Sequence, residues 1–151
     1  MCENIISIVR DECMKKAQED EAKTFYLKMI ADYYRYISES VQGDKLAEVA
    51  KNAQEFYEKA SEAAKSLAPY NSIRLGLALN HSVFQYEVQS DKTKAIDLAQ
   101  AALDDARSHI DDMANDEARD ALSIVELLKE NLDLWKEGEE EGGDDNPVED
   151  L

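Results

Sequence analysis

Apolar residues recur at helical spacing along most of this chain, and no stretch alternates apolar and polar residues for long enough to suggest a strand. Leu27, Ile30, Tyr34, Ile37 and Val41 stand at i, i+3, i+7, i+10 and i+14, one stripe of a helix over residues 21–41. A helix over 45–67 carries Leu46, Ala50, Ala53, Tyr57, Ala60, Ala64 and Leu67. Gly43-Asp44 separates the two, and Pro69 disfavours helical geometry at Ala68 and so marks the second stop. Asn71 or Ser72 can cap a segment running to about Gln89. Ser90 or Asp91 can cap the next, whose stripe is Ile96, Ala99, Leu103, Ala106 and Ile110. A last helix starts near Asp116 and continues through Trp135. At the other end, residues 2–17 form a first segment with Ile5, Ile6, Ile8 and Val9 as its apolar side. It opens with no cap or turn before it, as the end of a longer helix would. Short loops between helices of this length favour antiparallel neighbours. The pattern predicts an all-α protein, an antiparallel array of about five full helices after a partial N-terminal one.

Composition agrees with that reading and limits the function. Among 151 residues there are 5 glycines and 2 prolines, so helix breakers are scarce. After Lys136 the chain changes character: Glu137 to Leu151 holds eight acidic residues and no basic one. Such a segment cannot bury enough apolar surface to offset its ordering entropy. The expected division is a helical domain over 1–136 and a disordered acidic tail over 137–151. The formal net charge of −17 argues against nucleic acid and against an anionic membrane surface as partners. Any anionic ligand must meet a small local basic site against an unfavourable overall field.

Cys2 and Cys13, without a cysteine framework or a signal peptide, suit reduced thiols in a cytoplasmic protein. His81 and His109 are isolated in sequence, so neither a metal site nor a cofactor is expected. There is no glycine-rich phosphate loop, nucleophile elbow or metal-ligand pair, and an enzyme is not expected.

Two helices carry more than one core stripe needs. On the last helix Ala121, Val125, Leu128, Leu132 and Trp135 suit packing, while Ile124, Leu127, Asn131 and Leu134 form a second stripe interrupted by an amide. On the 72–89 helix Leu75, Leu79, Ser82 and Tyr86 suit a core, while Gly76, Asn80, Val83 and Glu87 form a mixed face. Two apolar faces, each with one Asn, could line a groove for an extended peptide, because Asn both donates and accepts. The same pattern suits an ordinary helix whose wide stripe touches two neighbours. On the 21–41 helix Lys28, Arg35 and Tyr36 share one side and could grip a phosphate as point charge, fork and hydroxyl donor. Asp32, at i+4 from Lys28 and i−3 from Arg35, could instead absorb both charges in helical salt bridges.

At these residues the chain resembles a known family. FYLKMIADYYRY (Phe25 to Tyr36), SIRLGLALNHSVFQYEV (Ser72 to Val88) and LLKENLDLW (Leu127 to Trp135) are similar to signature segments of the 14-3-3 proteins, in the family's order and before an acidic tail. MCENIISIV is similar to the latter part of that family's long fourth helix. The resemblance implies a phosphoserine/phosphothreonine-binding adaptor whose partners are phosphorylated client proteins. It implies that Arg35 and Tyr36 contact the phosphate, with Lys28 adding charge beside them. It further implies that Asn80 and Asn131 bond the ligand backbone, that Leu79, Val83, Ile124, Leu127 and Leu134 form an apolar wall, and that Glu87 and Trp135 complete the groove. Gly76 falls on the same face. Ser123 departs from the family, which usually has an apolar residue there.

The family's first three helices, with another lysine and an arginine of the phosphate site and most of the dimer interface, have no counterpart here. The expectation is of a fragment, an alternative start or an incomplete gene model of a longer protein, with a truncated paralogue as the other reading, and of phosphopeptide binding weakened by the missing helices. Full-length members form homo- or heterodimers, and this chain lacks most of that surface. The alternative reading is a helical-repeat scaffold of tetratricopeptide type that binds unmodified peptides, although its period of about 34 residues is not visible.

Overall fold

The computed structural model describes residues 2–8, 20–109 and 115–141, and all regular structure among them is helical. The helices are α1 (Cys2–Ile8), α2 (Asp20–Ser38), α3 (Gly43–Ala64), α4 (Ser72–Glu87), α5 (Lys92–Ser108) and α6 (Asn115–Glu141). They form two compact units, Met1–Leu67 with α1 to α3 and Ala68–Leu151 with α4 to α6. None of the described helices is long and apolar enough to cross a membrane.

In the first unit α2 packs along α3. Ala31, Ala53 and Ala60 are completely buried, and side chains this small let packed helices approach closely. Tyr34 stacks on Phe56 at 5.8 Å between ring centroids. Ile6 of α1 joins Ile30 in an apolar cluster, and Lys45 reaches Glu3 at 3.6 Å. Ile8, expected on the apolar side of α1, is instead 57% exposed, while Val9 lies outside the described residues.

The helix ends differ from the expected ones for identifiable reasons. α2 stops at Ser38, before Val41. Ser38 Oγ donates to the Arg35 carbonyl and Ser40 Oγ to that of Ile37 at 3.1 Å. The backbone there tightens into i→i+3 bonds, Glu39 N to Tyr36 O and Ser40 N to Ile37 O. Gly43 then takes φ +65°, a left-handed conformation that favours glycine. α3 ends at Ala64, three residues before Leu67, again in i→i+3 turns. Its buried face begins at Val49, whereas Leu46 and Ala50 are only half-buried.

The second unit has one continuous core in which Leu75, Leu79 and Val83 of α4 meet Ala95, Ala99 and Leu103 of α5 and Ala121, Val125, Leu128 and Leu132 of α6. Trp135 stacks on Tyr86 with ring centroids 4.9 Å apart and an interplanar angle of 13°. Asn71 caps α4 by accepting from Ile73 N at 2.9 Å and Arg74 N at 3.2 Å. Asp91 caps α5 by accepting from Lys94 N at 3.0 Å. α6 runs on to Glu141, so the first residues after Lys136 continue the helix. Residues 142–151 of the expected tail, and Ile110 of the α5 stripe, lie outside the described residues.

Asn71 alone supplies the side-chain cap of α4, so Asn71→Ala is expected to lower stability by about 1 kcal/mol. Ser72→Ala should leave it nearly unchanged. Urea unfolding followed by circular dichroism measures both.

Candidate anion-binding cluster and amide-bearing helix faces

α2 carries its charged residues where α3 can close over them. Asp32 accepts from Lys28 Nζ at 2.8 Å through one carboxylate oxygen. Its other oxygen accepts from the Tyr57 hydroxyl of α3 at 2.5 Å. The same hydroxyl accepts from Arg35 Nε at 3.2 Å. Arg35 Nη2 stays 3.9 Å from Asp32 Oδ1, an ion pair without direct hydrogen bonding. The guanidinium also lies over the Tyr36 ring, 4.9 Å from its centroid. The Arg35 side chain is only 2% exposed, while Tyr36 is 39% exposed.

The structure therefore brings Lys28 and Arg35 to one carboxylate, with the Tyr36 ring against the Arg35 guanidinium, and it partly realises the salt-bridge alternative. Lys28 is engaged directly by Asp32, whereas Arg35 is held off. Among the described residues, Lys28 and Arg35 both lie within ion-pair distance of this one carboxylate. Such a cluster can hold an anion through Arg as a fork, Lys as a point charge and Tyr as a neutral donor. Tyr57 was legible in the sequence only as one member of the α3 core stripe. Its signal is a polar tip in a stripe otherwise built mostly of alanine. Burial, and next the neighbouring Asp32 carboxylate, hold its hydroxyl well above the usual phenol range, so it stays protonated.

In the second unit the expected wall residues Leu79, Val83, Ile124 and Trp135 belong to the core, with Leu127 and Leu134 packed partly buried against it. Gly76 is buried, Glu87 is exposed, and Asn80 and Asn131 have no exposed surface. Both stripes of α4 are thus covered up to their last members, Tyr86 and Glu87: from Leu75 to Gln85 every residue except Ala78 is buried. His81 and Gln85 lie within that stretch, with His81 Nε2 and Gln85 Nε2 3.3 Å apart. Ser123 is exposed and donates back to the Arg119 carbonyl at 3.2 Å, which leaves it off the apolar wall.

The raised Tyr57 pKa fixes a pH dependence. Above about pH 10 the phenol ionises in the unfolded chain but not in the native one, so the unfolded state binds fewer protons and stability falls with rising pH. Between about pH 9 and 11, wild type is expected to lose stability more steeply than Tyr57→Phe, read by urea unfolding at each pH.

Comparison with known proteins follows the same residues. The 14-3-3 protein family profile matches residues 1–136. The chain is 40% identical over 144 residues to 14-3-3 protein homolog 1 of Schistosoma mansoni, covering 95% of this chain and 57% of that protein. It is 43% identical over 142 residues to the 14-3-3 protein homolog of Encephalitozoon cuniculi (strain GB-M1), covering 92% of this chain and 55% of that protein. The chain thus spans little more than half the length of these relatives. With the match extending through all three signature segments, this chain belongs to the 14-3-3 family.

Proposed function

We propose that this chain is the phosphopeptide-binding part of a non-enzymatic adaptor that regulates client proteins by masking, clamping or bridging them. The observation that carries the proposal is the Lys28–Asp32–Tyr57–Arg35 cluster, buried except at Lys28, with Tyr36 exposed beside it. A phosphoserine or phosphothreonine dianion suits the cluster because charge-assisted bonds to Arg and Lys are the strong ones. Family membership supports the same reading and the client class. The cytoplasmic location expected from the sequence, and dimerisation of the longer protein, belong to the same proposal.

Asn80 and Asn131 are the residues assigned to the ligand backbone, with Leu79, Val83, Ile124, Leu127 and Leu134 as apolar contacts and Gly76, Glu87 and Trp135 beside them. Their burial sets a physical condition: the amides must be uncovered when a peptide is held.

A fluorescence-anisotropy titration with a labelled phosphoserine peptide and its unphosphorylated twin tests the reading. Wild type is expected to bind the phosphorylated peptide selectively, and Arg35→Glu should lower that affinity by at least about tenfold, since a bond to a charged group contributes about 1.5–3 kcal/mol. Asn80→Ala is expected to cost about 0.5–1.5 kcal/mol and to leave the salt dependence unchanged, because the contact it removes carries no charge. Equal affinity for the two peptides would overturn the proposal.

A further inference from the structure

The α2–α3 pair has a second face. Successive residues of a helix turn by about 100°, so Leu27 and Ile30 lie well around α2 from Lys28, Asp32 and Arg35. Phe56 and Ala63 likewise lie around α3 from Tyr57. These residues line a groove with a cavity volume of about 610 Å³, within the ~300–1,000 Å³ of small-molecule sites. Leu27 and Ile30, 5% and 0% exposed, form its floor, and Phe56 and Ala63 line it from α3. The Phe56 ring is stacked on Tyr34, so this side of the groove exists before any ligand arrives.

Three charged side chains border the groove: Lys23, Lys59 and Glu62. Two of them are matched within the α3 segment. Lys59 Nζ bonds Glu55 at 2.6 Å, and Glu62 bonds Lys65 Nζ at 2.8 Å. Lys59 Nζ also lies over the Phe56 ring, 4.9 Å from its centroid, so the lysine stem extends the apolar lining. Lys23 is exposed, and its ammonium forms no ion pair or hydrogen bond with another described residue. The charge left unmatched at this apolar groove is therefore a single cation.

We propose that the groove binds an amphiphilic carboxylate, the anion of a medium-chain fatty acid, with its chain along Leu27, Ile30 and Phe56 and its head at Lys23. The site is separate from the Lys28–Arg35 cluster, and the inference does not depend on the function proposed there. An alkyl chain gains from covering apolar surface and has no polar atom to leave unsatisfied on the groove floor. Its carboxylate stays at the rim, where it keeps much of its hydration and where an exposed ion pair adds selectivity more than affinity. Carrying that charge to the floor would cost more than one lysine returns.

Decanoate, titrated below its micelle concentration into the isotope-labelled full chain, tests this by NMR. Amide shifts should saturate and centre on Lys23, Leu27, Phe56 and Ala63. Lys23→Glu changes an exposed side chain and leaves the core intact. It is expected to weaken decanoate at least about fivefold and to leave the binding of decanol, which has no charge, unchanged. Ala63→Trp fills the groove and should abolish the binding of both. If that variant does not fold, the comparison of decanoate with decanol in Lys23→Glu carries the test. Shifts that do not saturate or that centre elsewhere, or an equal effect of Lys23→Glu on the two ligands, would overturn the proposal. A dimer of this chain that Ala63→Trp dissolves, formed in place of a decanoate complex, would assign the groove to a second copy and overturn it as well.

Discussion

Holding a charged guanidinium almost completely out of water is the constraint around which the first unit is built. Uncompensated burial of such a group costs several kcal/mol. Described residues close to Arg35 respond to that cost: the Asp32 carboxylate, the Tyr57 hydroxyl and the Tyr36 ring each offer negative charge or electron density to it. Two of these come from α2 itself, but Tyr57 must be delivered by α3. The cluster therefore depends on the α2–α3 packing, and the alanines that let these helices approach are part of the charge arrangement as much as of the core.

The second unit solves a different problem. α4 is buried on nearly all sides, so its polar residues Asn80, Ser82 and Gln85 are inside with the leucines. Ser82 turns its hydroxyl onto the Leu79 carbonyl at 2.7 Å. Burying an amide is tolerable only when its donors and acceptors are met, and that requirement makes such positions sensitive to any change in their surroundings. Asn80 and Asn131 share this situation on α4 and α6. Side chains that bond equally well to protein or to a peptide backbone are suited to exchanging one for the other.

Charge sets the wider frame. A chain of net charge −17 repels anionic ligands at long range, and screening at physiological ionic strength confines that repulsion to about 8 Å. Selectivity for phosphate must then come from short-range geometry at the Arg35 cluster.

Helical class, the order of the six helices and the caps at Asn71 and Asp91 were legible in the sequence, because periodicity, capping chemistry and helix breakers are local properties. So was the grouping of Lys28, Asp32, Arg35 and Tyr36, which the helical repeat alone brings together on α2. Helix ends were less legible: α2 and α3 stop early because hydroxyl bonds and i→i+3 turns compete with the last turns, and α6 runs past Trp135 because Glu-rich sequence sustains a helix already begun. What only tertiary structure decided is which polar atoms lie inside. The exposed Ile8, the buried Asn80 and Asn131, and above all Tyr57 standing between Asp32 and Arg35 depend on residues distant in the chain meeting across helices. Spacing along one helix fixes which side chains share a face. Only packing against another helix determines what that face touches and how deeply a charge on it is buried.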